Sequence, residues 1–159
     1  MIRTFLVLTL ISWIAPAWAQ PAELPDPRLT PGAVAEDGHT ETTVCGLVDG
    51  LTYSKRHRAT PQALKRELRD RDGAIGRGEV DHRIPLALGG ADIVNNLWWQ
   101  PGPDAPGVVW TYLDKDRLET EIWQRVCKRR TMPLEDGQAV FLVPGWGRQY
   151  CKVWPAECQ

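Results

Sequence analysis

Asp81 and His82 stand side by side in the run Glu79-Val80-Asp81-His82-Arg83-Ile84-Pro85-Leu86-Ala87-Leu88-Gly89-Gly90-Ala91-Asp92-Ile93-Val94-Asn95-Asn96-Leu97-Trp98. A carboxylate suits a hard cation, and an imidazole takes up a proton near neutral pH. The pair therefore offers the parts of metal-assisted hydrolysis. Neighbours on a regular strand point to opposite faces, so both reach one small site only at a strand end or a bulge. Val80, Ile84 and Leu86 alternate as in a half-buried strand. Gly89-Gly90 marks a turn, because glycine takes positive φ at little cost. A second short run, Ile93-Val94, leads into Asn95-Asn96-Leu97. Glu79 shares the face of Asp81 on a regular strand and could orient a ligand or Arg83.

This string resembles the HNH endonuclease family, residue for residue from Asp81-His82 through Gly89-Gly90 to Asn96-Leu97. It is similar in particular to a bacterial subgroup reading roughly E-x-D-H-x-I-P-L-x-L-G-G and then N-L-W. That subgroup also looks similar around Cys45, Gly50, Thr52 and Arg56, so the resemblance covers about residues 42–127. It implies an α+β fold: a small ββα-metal (His-Me finger) core with flanking helices. It implies His82 as the general base that activates water and Asp81 as a metal ligand. Asn96 would hold the hairpin loop and so orient His82, with an ordinary turn asparagine as the equal alternative. One divalent ion would bind the scissile phosphate and steady the leaving 3′-oxygen. The implied activity is hydrolysis of phosphodiester bonds in nucleic acid, DNA above all, with low sequence specificity. Arg56, Arg83 and Lys115 are the expected contacts to phosphate or nucleic acid.

The pattern departs from the family on the following helix, where a His or Asn supplies the second metal ligand. Between Leu97 and Cys127 the chain has no His and no Asn, and the expected position, two before Lys115-Asp116, holds Leu113. Carboxylates are the substitutes at hand. Asp116 and Glu119 are three apart and share a helix face, and Asp114 lies nearest the missing histidine. Oxygen donors of this kind favour Mg²⁺ or Mn²⁺ over softer metals. The same acids also read as a solvated helix face partnered by Lys115 and Arg117.

The 159 residues suffice for one domain. A net charge of −1 gives no overall basic footprint, which argues against a general nucleic-acid coat. Positive charge is local instead, from Lys55, Arg56, His57 and Arg58 into Lys65, Arg66, Arg69 and Arg71. Residues 1–19 read as a secretory signal: Arg3, an apolar stretch from Phe5, then Ala17-Trp18-Ala19 at the cleavage point. A periplasmic or secreted protein follows, with no stable membrane association after cleavage. Four cysteines behind such a signal point to disulfides with three possible connectivities. Cys45–Cys127 with Cys151–Cys158 is the favoured one. No Cys-x-x-Cys suggests a structural zinc.

Residues 20–41, rich in proline, read as a flexible segment, with His39 solvated, and 42–159 as the nuclease-like domain. A short strand and turn are expected over 42–53. A helix follows with Thr60 as N-cap, Pro61 in its first turn and Gly73 at its exit, burying Leu64 and Leu68. A second helix over about 109–128 buries Leu118, Ile122 and Val126. A third, short helix falls within 131–143, and 144–159 reads as loop. Trp98, Trp99, Trp110 and Trp123 belong to the core, with one of the adjacent pair able to stack on a base. The rival reading is a non-catalytic binding protein on a degenerate HNH scaffold, favoured by Leu113 and the absent positive charge. A structural protein stapled by disulfides would leave Asp81-His82 without a role.

Overall fold

A computed structural model describes residues 24–74, 76–143 and 145–158. The expected secretory signal, 1–19, lies outside the described residues.

Two strands, β1 (Gly78–His82) and β2 (Leu97–Pro101), pair antiparallel with Asp81 opposite Trp98 and His82 opposite Leu97. The chain is thus a mixture of helix and strand, as expected. The apolar alternation past His82 does not continue the strand. Pro85 cannot donate to a ladder, and both backbone groups of Ile84 are taken by the Asn96 side chain, at 2.8 and 2.9 Å. The chain bends there into a 3₁₀ turn, Leu86–Leu88. Ile84, Leu86 and Leu88 are nonetheless buried, so the alternation reported burial correctly and conformation wrongly.

Residues 24–40 are not a loose tail. The amide of Gly32 donates to Asn95 O, that of Ala35 to Gly89 O and that of Ala91 to Ala33 O, each at 2.9 Å. Gly89 sits at φ 83°, and a Cβ on Gly38 would collide with its carbonyl, so glycine is required on both sides of this crossing. Proline richness signalled an irregular path, and these cross-chain backbone bonds are invisible in local composition.

Arg83, expected on phosphate, pins this segment down. It is 7% exposed and donates to Thr30 O and Leu142 O at 2.6 Å, and to Phe141 O at 3.4 Å. Arg83→Ala is expected to cost about 2 kcal/mol, because it strips charge-assisted bonds from buried carbonyls. A urea midpoint equal to that of the wild type would refute this.

Among the described residues six α-helices accompany the hairpin. α1 (Glu41–Cys45) stands where a strand was expected, because Thr40 caps it by accepting from Thr43 N. α2 (Tyr53–His57) follows a tight turn in which Asp49 and Gly50 both take positive φ. α3 (Gln62–Arg71) starts after Pro61; Thr60 is not its cap, its hydroxyl being given to Asp92. α4 (Tyr112–Trp123) is capped by Thr111, whose amide and hydroxyl both donate to Asp114 Oδ2. Its core face carries Lys115, Leu118 and Ile122, and one π turn (Gln124–Lys128) extends it to Val126. α5 (Leu134–Leu142) tolerates Gly137 because a Cβ there would lie 2.9 Å from Val126 Cγ2. α6 (Trp146–Val153) replaces the expected C-terminal loop and buries Trp146 and Tyr150. Leu88, Leu118, Ile122, Phe141 and Trp146 share one core. The disulfides are Cys45–Cys127 and Cys151–Cys158, the favoured connectivity. Among the described residues no helix is long and apolar enough to cross a membrane.

Candidate functional site

The hairpin ends at the chemistry. By the strand register Glu79, Asp81, Trp98 and Gln100 share one face, toward α4, and His82 lies on the other. The strand stops at His82, because Arg83 N turns to donate to Asn96 O at 2.6 Å. At this end His82 Nδ1 lies 3.9 Å from Asp81 Oδ1, so the two side chains reach one place.

His82 is 2% exposed and its Nε2 lies 2.7 Å from Asp92 Oδ1. Asp92 is itself fixed by the amide of Ala59, at 2.6 Å, and by the Thr60 hydroxyl. Burial pushes the Asp92 carboxyl up, but the bonds from Thr60, Ala59 and His82 outweigh it and hold it below its ordinary range. An ionised carboxylate only accepts, so the proton of His82 sits on Nε2 and the Nδ1 lone pair faces Asp81. Burial is the largest influence on His82 and holds the imidazole below its ordinary value, despite the two carboxylates beside it. A neutral, oriented imidazole has the charge state in which it can accept a proton. Asp92 also lines an open cleft of about 480 Å³ with Glu36, His57, Ala59 and Ile93. Sequence reasoning missed Asp92; its one signal is that it follows the Gly89-Gly90 turn within the same connection as His82.

Asn96 performs the expected loop-holding role. It is fully buried, accepts from Ile84 N, and donates to Ile84 O and Ala91 O at 2.9 Å. It touches backbone between His82 and Asp92.

On the other side of Asp81, α4 brings Lys115. This side chain is 1% exposed, with Nζ 2.6 Å from Asp81 Oδ2 and paired also with Glu119 Oε1 one turn on. Burial alone would drive the amine toward neutrality, but the two carboxylates prevail and hold it protonated above its ordinary range. Lys115 is therefore not the phosphate contact expected of it: a buried ammonium cannot reach a solvent-borne strand. Glu119 is engaged by Lys115 as well. Burial also raises the Glu79 and Asp116 carboxyls, aided by the charge of Asp81.

These residues do not fit a divalent ion as they stand. Asp81 and Glu119 are both spent on Lys115, and Asp114 is spent as the cap of α4. Among the described residues no three His, Cys, Asp or Glu side chains come together in a way that could hold one. Leu113, at the position expected for a helix histidine, is 53% exposed.

Arg56 is folded back over the Tyr53 ring, 5.4 Å from its centroid, with Nη2 3.4 Å from Thr43 O. Arg58 is a further cation close to the site. It is exposed, it precedes the Ala59 amide that holds Asp92, and its charge acts on both Glu79 and Asp116. Four successive basic or histidine side chains, 55–58, gave no reason to prefer it. Of the tryptophan pair, Trp98 is buried while Trp99 is half-buried, with the Arg69 guanidinium 5.5 Å from its ring centroid. Compared with known proteins, the chain finds no matching family model, no matching curated protein and no matching solved structure.

Proposed function

We propose that this chain is an exported endonuclease of HNH type that hydrolyses phosphodiester bonds in nucleic acid, DNA first, with His82 as general base. The observation that carries the reading is the His82–Asp92 hydrogen bond, which holds the imidazole in one tautomer with Nδ1 toward Asp81. A water proton passes to Nδ1, the hydroxide oxygen bonds to phosphorus, and the bond to the leaving oxygen breaks on the opposite side, that oxygen taking a proton from solvent. Arg58 meets the phosphate charge from the rim of the site. The order of hairpin then α4 supports the reading, as do the two disulfides, which suit an exported protein in the periplasm or beyond the cell.

The test is nicking of supercoiled plasmid by the purified chain 20–159 with oxidised cysteines. His82→Ala, with an unchanged circular dichroism spectrum, is expected to lose about 10²–10⁴-fold in rate. The wild-type rate should rise from acid pH and level off below the ordinary imidazole value of about 6.5, since only the neutral ring accepts a proton. Equal nicking by both proteins removes His82 from the mechanism. The second reading, a non-catalytic binder of nucleic acid on the same scaffold, is favoured by the exposed Leu113. It gains if the folded wild type nicks nothing yet shifts DNA in a gel, equally with and without His82.

A further inference from the structure

We propose that the Lys115 ammonium is the resident cation of this site, filling the seat between Asp81 and Glu119 that a divalent ion would need, so that the site works without a metal. The argument is positional. A hard divalent ion takes carboxylate oxygens at about 2.0–2.6 Å. Nζ of Lys115 already lies 2.6 Å from Asp81 Oδ2 and in contact with Glu119 Oε1. An ion and an ammonium cannot share that point, and like charges repel strongly in a buried setting.

Nor can the lysine readily swing aside. Lys115 lies on the core face of α4 in line with Leu118 and Ile122, and its ammonium sits 5.4 Å from the Phe141 ring centroid. Its neighbour Arg117, by contrast, reaches outward to Glu157. The helix position that would supply a second metal ligand carries Leu113, which has no donor atom. The surroundings are otherwise acidic, Glu79 and Asp116 flanking Asp81, with Arg58 the other nearby cation. Lys115 thereby orients Asp81, whose second oxygen faces His82 Nδ1, and acts as a positioning residue.

The seat does not depend on the hydrolytic reading, whereas metal-free turnover rests on it, and the measurements separate the two. Electron paramagnetic resonance counts free Mn²⁺ against oxidised wild type, Lys115→Met and Lys115→Arg. No saturable binding to wild type or Lys115→Arg, with binding gained in Lys115→Met, is the expected result. Saturable binding to the wild type overturns the proposal, and so does a folded Lys115→Met that binds none. Should that variant fail to fold, the wild type answers through its lysine ammonium resonances. A protected signal absent from Lys115→Arg and unmoved by excess Mg²⁺ supports the seat, whereas its loss on adding Mg²⁺ overturns it. In the nicking assay, cleavage that persists in excess EDTA is expected, and cleavage only with added metal overturns the inference. No cleavage under any condition counts against the endonuclease reading while the Mn²⁺ count still decides the seat.

Discussion

Lys115→Met lowers the stability of the folded chain by about 3–5 kcal/mol, the usual cost of leaving a buried partner charge uncompensated. The wild-type ammonium answers two carboxylates at once, Asp81 at 2.6 Å and Glu119. Methionine fills much the same volume, so the loss is electrostatic rather than a cavity. The pH dependence follows from Glu119, which burial pushes up from 4.5 to about 8 even with Lys115 in place. A carboxyl raised on folding binds more protons in the folded state between those two values. Its contribution is complete below the unfolded value and is lost as pH rises through the folded one. Without the ammonium the carboxyl rises further, so the variant lies nearest the wild type in mild acid and falls behind as pH increases. Urea midpoints at about pH 5 and about pH 10, on either side of the folded value, measure the divergence. Equal stability at the higher pH would mean that the Lys115 ammonium spends its time in water.

Asn96→Ala is expected to cost about 3 kcal/mol and to depress nicking at the same time. Its carboxamide is shared among Ile84 N, Ile84 O and Ala91 O, all buried, and Ala33 N at 3.3 Å. Each orphaned buried group costs about 1–3 kcal/mol, and water entering the space left behind recovers part of the sum. The same bonds tie the start of the connection, beside His82, to the stretch that carries Asp92. Loosening it moves base and orienting carboxylate apart, and a displacement near 1 Å costs about 10²-fold in rate. Asn96→Asp separates the effects of shape and donation, since an ionised carboxylate accepts from Ile84 N but gives nothing to the two carbonyls. It should therefore fall near the alanine variant in urea. A stable Asn96→Ala with unaltered nicking would reduce the residue to a turn former.

The parts of the molecule that were legible beforehand are those governed by local rules. The inward face of α4, Leu118 and Ile122 running on to Val126, follows from spacing alone. The cysteine pairs and the loop-holding function of Asn96 were likewise expected. Other local rules misled where a distant partner intervened. Thr60 has the chemistry of a helix cap, but Asp92 competes for its hydroxyl. Pro85 and the Asn96 carboxamide convert an alternating run into a turn. Residues 24–40 have the composition of a loose segment, yet their backbone bonds to Gly89 and Asn95 hold them on the connection.

For the candidate site the division is sharper. The reactive groups could be read beforehand: Asp81 beside His82 ahead of a glycine turn, a run of basic residues before α3, and acids without a histidine on α4. The sequence could not say which charge answers which, because that depends on groups tens of residues apart and on how much water each retains. Arg56, Arg83, Arg58 and Lys115 are alike on paper. Tertiary packing alone turned Arg83 toward Thr30 and Leu142, folded Arg56 over Tyr53, left Arg58 in solvent and buried Lys115 between Asp81 and Glu119. Desolvation makes such choices all-or-none, since a buried charge persists only where an opposite charge meets it at contact distance.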